Sequence, residues 1–160
     1  MSMIIRKLKP KENNILEEML YNAIYQPDQE PKLPREVIYQ PDLYHYIENF
    51  GKKDDRCLVA ETEGKIVGAV WTRILAGADP GYGNVDAVTP EFAISVNKSY
   101  RGQGIGTRLM EEMIQLLRED GYAQASLSVD KDNYALKMYE KTGFQIIEEK
   151  EEDYLMLLKL

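Results

Sequence analysis

The stretch from Tyr100 to Thr107, Tyr-Arg-Gly-Gln-Gly-Ile-Gly-Thr, constrains the fold of this chain more than any other. An apolar run at 91–96 precedes it, and apolar residues at helical spacing follow it over 105–116. The pattern predicts a strand, a glycine turn and the start of a helix. Three alternating glycines would let a ligand approach the backbone closely, because no Cβ stands in the way.

A helix that begins at this turn would offer free N–H groups and a partial positive charge to a pyrophosphate. A flexible turn that merely starts a helix is the alternative. The spacing does not fit the dinucleotide pattern Gly-x-Gly-x-x-Gly, and no Gly-Lys pair of a Walker loop follows. What remains, Arg101-x-x-Gly104-x-Gly106, resembles the acyl-CoA pyrophosphate loop of the GCN5-related N-acetyltransferases (the GNAT family), whose pattern is Gln/Arg-x-x-Gly-x-Gly/Ala.

A second motif about 30 residues later resembles the same family. The segment 132–144 contains Ala135, Tyr139 and the pair Gly143-Phe144 at the spacing that these acetyltransferases commonly carry. The family's asparagine aligns either with Asp132 or with Asn133, and we favour Asn133. The segment 58–71, Leu-Val-Ala-Glu-Thr-Glu-Gly-Lys-Ile-Val-Gly-Ala-Val-Trp, also resembles the family's central hairpin.

The order of predicted elements along the 160 residues is β-α-α-β-β-β-α-β-α-β-β, with a proline-rich loop at 26–34 and another loop at 75–90. Runs of strands in mid-chain favour an α+β fold with a mixed sheet over a doubly wound one. With the resemblance, we expect a single domain over 1–160. It would have the acyl-CoA N-acyltransferase fold, a mixed, mostly antiparallel sheet of about seven strands flanked by about four helices.

Composition excludes several classes of function. A net charge of −7 disfavours a general nucleic-acid or anionic-membrane surface. The lone Cys57 cannot form an internal disulfide, and we expect it to be buried in a strand. No apolar run approaches the ~18 residues of a membrane span, so a cytoplasmic protein is expected. The single histidine, His45, has no partners at metal-ligand spacing, and no metal site is predicted.

The resemblance implies acetyl-CoA as the acyl donor and a binding site made largely of backbone N–H groups. The pyrophosphate would lie on 102–107, with Arg101 or Arg108 nearby. The strand at 94–96 would pair with the pantetheine amides and donate to the developing oxyanion. The implied binding residues are Ile94, Ser95, Val96, Arg101, Gly102, Gln103, Gly104, Ile105, Gly106, Thr107 and Asn133.

The resemblance also suggests two catalytic groups for attack of a neutral amine on the thioester. Tyr139 is the candidate acid that protonates the departing thiolate, and a packed core tyrosine is the structural alternative. Glu91 is the candidate base, with a water as relay. A solvated strand-end carboxylate is its alternative, and Asp86 is held in reserve.

The acceptor is expected to be a primary amine on a small molecule or a peptide, with no nucleic-acid or membrane partner. Its pocket would lie near the tyrosine-rich segment 21–46 and the loop 75–90. Trp71 belongs either to the core or to this acceptor side. The C-terminal pair of strands could support a homodimer. A non-catalytic acyl-CoA sensor or interaction module is the main alternative, and the glycine spacing disfavours a nicotinamide-nucleotide enzyme.

Overall fold

The computed structural model describes residues 2–27 and 30–160, and its elements follow the predicted order. Positions 28 and 29 of the predicted proline-rich loop lie outside the described residues. The strands are β1 (Met3–Lys7), β2 (Arg56–Thr62), β3 (Lys65–Arg73), β4 (Glu91–Val96), β5 (Gln124–Asp130), β6 (Gln145–Glu149) and β7 (Asp153–Lys159). The α-helices are α1 (Ile15–Ala23), α2 (Pro41–Tyr44), α3 (Ile105–Glu119) and α4 (Ala135–Lys141), and short 3-10 helices cover Pro10–Glu12, Arg35–Tyr39 and Lys98–Tyr100.

The described strands form one seven-stranded sheet in the order β1-β2-β3-β4-β5-β7-β6. Only the β4–β5 pair is parallel, and every other neighbouring pair is antiparallel. This arrangement confirms the predicted mixed, mostly antiparallel sheet. The single parallel pair falls in the middle of the sheet, directly before the glycine turn.

Helices cover both faces of the sheet because its strands alternate apolar side chains between two cores. One core lies under α3 and α4, and the other lies under α1 and the segment that follows it. Helix α3 is amphipathic, and its buried stripe consists of Ile105, Leu109, Met110, Met113, Ile114 and Leu117. Cys57 is buried in β2, as predicted, and burial raises the pKa of its thiol to about 12.

The hairpin between β2 and β3 turns at Glu63 and Gly64, whose φ angles are +52° and +75°. Two successive positive φ angles characterise the two-residue turns that match the twist of antiparallel strands. Gly64 adopts its positive φ at no steric cost, because it has no Cβ.

The sequence after Pro41 predicts a helix from Asp42 to Phe50, closed by Gly51, but the observed helix is shorter. Helix α2 ends at Tyr44, and the chain continues in tight turns to Asn49, which has a φ of +53°. The cause lies in β3, because Arg73 Nη1 donates to His45 C=O at 2.9 Å and to Glu48 C=O at 2.7 Å. Those two carbonyls accept from a side chain instead of from the next helical turn.

Arg73 holds this segment through a buried ion pair. Its Nε and Nη2 donate to the two carboxylate oxygens of Asp55 at 3.1 and 3.0 Å, and each side chain is only 5% exposed. In the register, Arg73 lies directly opposite Glu91 of β4. The ion pair therefore fixes the segment after α2 against β3, the strand that pairs with the one carrying the candidate base.

We expect Asp55→Ala to lower the free energy of unfolding by about 3–5 kcal/mol, because it leaves the buried guanidinium without its counter-charge. Asp120→Ala is the matched control. It removes the partner of the more exposed Arg56 and should cost less than about 1 kcal/mol. Urea titrations of the two variants measure the difference, and equal losses would contradict the structural role given to the Arg73–Asp55 pair.

Candidate active site

β4 and β5 are neighbours in the sheet but separate almost at once. Their register joins them at a single pair, Glu91 and Ser126. On its other side, β4 pairs with β3 along its whole length, from Arg73↔Glu91 to Gly68↔Val96. The β5 side of β4 is therefore unpaired beyond this point, and we call the resulting gap between the two strands the cleft.

Two hydrogen bonds assign the backbone groups of β4 that face this cleft. Asn97 N–H donates to β3 at 2.8 Å, and β5 donates to Pro90 C=O at 3.0 Å. Successive residues of a strand direct their backbone groups to opposite sides, so the even-numbered residues of β4 face the cleft. The N–H and C=O of Ile94 and the N–H of Val96 can therefore pair with an extended ligand as a neighbouring strand would.

The glycine turn lies at the end of β4, after the 3-10 helix that follows it. Gly102 and Gly104 have φ angles of +78° and +82°, which L side chains rarely adopt, and a Cβ on either would meet no atom within 4 Å. The backbone conformation requires glycine at both positions. Because neither residue has a side chain, a ligand can approach the backbone N–H groups of the turn from solvent.

The six backbone N–H groups from 102 to 107 donate to no acceptor in the described part of the chain. Helix α3 begins at Ile105, so its partial positive charge adds to these donors. We call residues 101–107 the anion cradle. Its geometry suits a pyrophosphate, which would bind through backbone donors and the helix end.

The side chains of the cradle have different tasks. Arg101 Nε donates to Val96 C=O at 2.9 Å, which ties the turn to β4. Ile105 is buried in the core, so only its backbone belongs to the cradle. A Cβ on Gly106 would lie 3.2 Å from Met138 Sδ, so this glycine lets α3 and α4 pack closely. The side chains of Gln103 and Thr107 are exposed. Arg108, just beyond the cradle, is also exposed, and its Nη2 lies 3.6 Å from Glu112 Oε2.

Glu91 is a buried carboxylate, at 3% exposure, on the face of the sheet that packs against α1 and the segment after α2. Its Oε2 accepts from the Tyr46 hydroxyl at 2.5 Å and from Gly83 N–H at 2.9 Å. Its Oε1 is buried and has no partner in the described part of the chain. Burial raises the pKa of Glu91 to about 7, although these two hydrogen bonds and the charge of Lys150 act in the opposite direction.

The loop at 75–90 folds directly over this carboxylate. A Cβ on Gly81 would lie 2.1 Å from Glu91 Oε1, and a Cβ on Gly83 would lie 2.7 Å from Ser128 N. Ser126 Oγ donates to Gly83 C=O at 2.6 Å, which fastens the loop to β5. Both glycines are needed for close approach, and the loop forms a wall of the cleft.

Tyr139 lies on the face of the sheet opposite to Glu91, in the core under α3 and α4. Its ring lies edge-on to Phe144, with centroids 6.4 Å apart, and its side chain is 9% exposed. Burial raises the pKa of Tyr139 to about 12, so the hydroxyl stays protonated at neutral pH. It donates to no acceptor in the described residues, which leaves its proton available to a ligand.

Two of the expected binding residues point elsewhere. Asn133 Oδ1 accepts from Ala135 N–H at 2.9 Å and thereby caps α4. Ser95 belongs to the β3 side of its strand, and its Oγ lies 3.3 Å from Met19 Sδ of α1. The backbone of β4 and the cradle, more than these side chains, form the part of the cleft that can hold an acyl-CoA.

The tyrosines of the segment 21–46 make different contacts. Tyr46 is buried against Glu91, whereas Tyr21 donates to Leu33 C=O. Trp71 is completely buried and its Nε1 donates to Tyr46 C=O at 3.0 Å, so it belongs to the core. No local sequence pattern marks Tyr46 as a site residue, because its partner, Glu91, is 45 residues away. The Gly-Tyr-Gly at 81–83 was the available signal for close packing over the site.

Neither Asp86, the reserve candidate, nor the single histidine, His45, is well placed to act as a base. Asp86 is exposed, and hydrogen bonds from Thr89 and Val88 lower the pKa of its carboxyl, which makes it a weaker base. Burial lowers the pKa of His45, whose C=O is held by Arg73. Within residues 2–27 and 30–160, no three His, Cys, Asp or Glu side chains gather as metal ligands, and no helix is long and apolar enough to cross a membrane.

Known sequences resemble this chain over part of their length. The mycothiol acetyltransferase of Kocuria rhizophila is 32% identical over 82 residues, which are 51% of this chain and 26% of that protein. The chain covers between about a quarter and a half of the length of the first curated relatives it matches.

Two solved structures share the fold over nearly the whole chain. The PaiA N-acetyltransferase of Thermoplasma acidophilum, in complex with coenzyme A, has a TM-score of 0.70 at 20% identity, with 100% of both chains covered. The yncA protein of Salmonella typhimurium, solved with its cofactor acetyl-CoA, has a TM-score of 0.73 at 17% identity, with 100% of this chain and 95% of that chain covered.

A family model described as the acetyltransferase (GNAT) family matches residues 18–144, a range that contains the cleft, the cradle and both candidate catalytic residues. The match confirms the resemblance that the two sequence motifs indicated: this chain belongs to the acetyltransferase (GNAT) family.

Proposed function

We propose that this protein is an N-acetyltransferase that moves the acetyl group of acetyl-CoA to a primary amine on a small molecule or a peptide. The observation that supports it most is the cleft between β4 and β5, which has an anion cradle at its end. Glu91 lies on one face of this cleft and Tyr139 on the other. Membership of the family supports the same activity.

The residues present fit the donor. The free N–H groups of 102–107 would bind the pyrophosphate, and the cleft-facing groups of Ile94 and Val96 would pair with the pantetheine amides. Acetyl-CoA, when bound, supplies the thioester that the amine attacks. A β4 N–H at the cleft is the donor available to the carbonyl oxygen as negative charge develops on it.

The two buried side chains account for the protons. As the bond between the amine nitrogen and the acetyl carbon forms, Glu91 accepts a proton from the amine. A water relays this proton, because the loop over Glu91 covers the carboxylate. As the carbon–sulfur bond breaks, Tyr139 donates its hydroxyl proton to the thiolate. Exchange with solvent then restores both side chains.

Acidic side chains on the face that carries Glu91 favour a cationic acceptor. Asp130 and Asp153 lie opposite each other in the β5–β7 register, and Tyr82 donates to Asp42 beside the loop. Burial, together with the charge of Asp153, raises the pKa of Asp130. An ammonium group near these carboxylates would gain favourable interactions before it loses its proton.

Gly104→Ala is expected to weaken coenzyme A binding at least tenfold, because a side chain at a φ of +82° strains the cradle backbone. Gly121→Ala is the matched control, since Gly121 has a φ of +87° at the other end of α3 and equally open surroundings. Isothermal titration with coenzyme A measures both variants. Equal affinity losses would argue against the cradle as the pyrophosphate site.

Tyr139→Phe should lower kcat by about 10²-fold or more, because the variant cannot protonate the thiolate. Its affinity for coenzyme A should stay within about threefold, since the hydroxyl acts on the leaving group and the cradle holds the phosphates. Steady-state release of free thiol, measured with an amine found in a panel of diamines, peptides and amino sugars, tests this. An unchanged kcat would remove Tyr139 from the mechanism.

Wild-type kcat at saturating acceptor should fall about tenfold for each pH unit below about 7, because a protonated Glu91 cannot accept the amine's proton. Glu91→Gln should lower the kcat plateau by about 10²-fold and abolish this acidic limb. A pH–rate series between 5 and 9 makes the measurement. If the Glu91→Gln variant keeps the acidic limb, another group is the base. If the wild-type protein binds coenzyme A but turns over no amine, a non-catalytic acyl-CoA sensor is favoured.

A further inference from the structure

The hydroxyl of Tyr46 connects three separate parts of the site. It donates to Glu91 Oε2 at 2.5 Å and accepts from Tyr82 N–H at 2.9 Å. The first contact reaches β4, and the second reaches the loop that covers the carboxylate. The tyrosine itself comes from the segment after α2, and its side chain is buried. One oxygen atom thus links the base, the loop and the segment that follows α2.

The position of this hydroxyl is fixed from behind. Tyr46 C=O accepts from Trp71 Nε1 at 3.0 Å. The carbonyls of His45 and Glu48 accept from Arg73, whose guanidinium is itself held by Asp55. Both Trp71 and Arg73 belong to β3, the strand that pairs with Glu91. β3 therefore holds the backbone from which the Tyr46 side chain reaches the carboxylate, and the hydroxyl offers Glu91 a donor at a set position.

The two oxygens of Glu91 differ for this reason. Oε2 has two donors, Tyr46 and Gly83, whereas Oε1 is buried without a partner in the described part of the chain. A carboxylate held in this way can take up a proton only at Oε1 without giving up an existing hydrogen bond. We propose that Tyr46 is the positioning residue of this site, which fixes Oε2 of Glu91 and keeps Oε1 free as the proton acceptor.

This inference rests on the proposed function, because it assigns Tyr46 a task in the same proton transfer. The charged and titratable groups around Glu91 come from four elements: Arg73 of β3, Tyr46 after α2, Tyr82 of the covering loop and Lys150 after β6. Arg73 is paired with Asp55, and Lys150 Nζ lies 3.5 Å from Tyr82 C=O. Loss of the Tyr46 hydroxyl removes the hydrogen bond to Glu91 and the one from Tyr82 N–H, and it deletes no charged group around Glu91, so a shift in the titration of Glu91 can be attributed to the lost hydroxyl.

Tyr46→Phe deletes only the hydroxyl and tests the proposal. Loss of a hydrogen bond to a carboxylate raises the pKa of the acid, so the acidic limb of kcat should move up by about one pH unit. The KM for acetyl-CoA should change less than twofold, because the tyrosine lies on the acceptor face. Tyr44→Phe, two residues away, is the matched control, because the Tyr44 hydroxyl makes no hydrogen bond in the described residues. The acidic limb of kcat should stay in place in this variant.

A second readout does not depend on turnover. Thermal unfolding from pH 5 to about 9.5, compared between each protein and its Glu91→Gln partner, reports the titration of Glu91 alone. A carboxyl whose pKa is raised in the folded state destabilises the protein as pH rises toward that pKa. The pH at which the Tm difference levels off should be about one unit higher in Tyr46→Phe than in the wild type.

The outcomes separate the two proposals. If the levelling pH moves but kcat shows no limb near neutrality, Tyr46 tunes Glu91 and the proposed base is wrong. If neither the levelling pH nor the limb moves while Tm falls, Tyr46 is only a structural residue and the inference is overturned. Should Tyr46→Phe fail to fold, a difluorotyrosine at position 46 keeps the ring and makes the hydroxyl a stronger donor. The acidic limb of kcat and the pH at which the Tm difference levels off should then both move to lower pH. If neither moves, the proposal is overturned.

Discussion

The geometry of this protein depends on the separation of β4 from β5 after one backbone pairing. A parallel pair normally continues its ladder, and strands left unpaired in the middle of a sheet expose polar groups that need partners. Here the groups of Ile94 and Val96 face the cleft instead of a strand. The proposed acyl-CoA donor would supply partners for these groups, and the glycine turn places six more N–H groups at the end of the same cleft. The donor site is consequently built from backbone, which explains why few of its side chains are specialised.

The acceptor face is organised differently, around a buried charge. A carboxylate at 3% exposure is costly unless it is hydrogen-bonded, and the chain supplies Tyr46 and Gly83 as donors to one oxygen only. The unsatisfied oxygen retains part of the cost of burial, and that cost is what raises the pKa of Glu91 to about 7. A base with this pKa is divided between its two forms near neutral pH, where general-base catalysis is most effective. The Arg73–Asp55 pair maintains the arrangement, because it holds the segment from which Tyr46 reaches the carboxylate.

Sequence alone predicted the parts of the site that are local. The glycine turn, the start of α3 and the order of strands depend on residues within a few positions of one another. The positions of Glu91 and Tyr139 followed from motifs that resemble a family. The environment of Glu91 was not predictable, because Tyr46 and Gly83 reach it from 45 and 8 residues away through folded loops. The early end of α2 has the same origin, since Arg73 of a distant strand takes the carbonyls that a longer helix would have used.

The division of the site between two faces of one sheet has a chemical consequence. Tyr139 lies in the core under α3 and α4, whereas Glu91 lies on the opposite face of the sheet, against Tyr46 of the core under α1. The proposed acid and the proposed base are therefore separated by the sheet, and each can hold its own protonation state. A phenol with a pKa of about 12 stays protonated while a carboxyl with a pKa of about 7 loses its proton, so above neutral pH both groups hold the protonation states that the proposed mechanism needs.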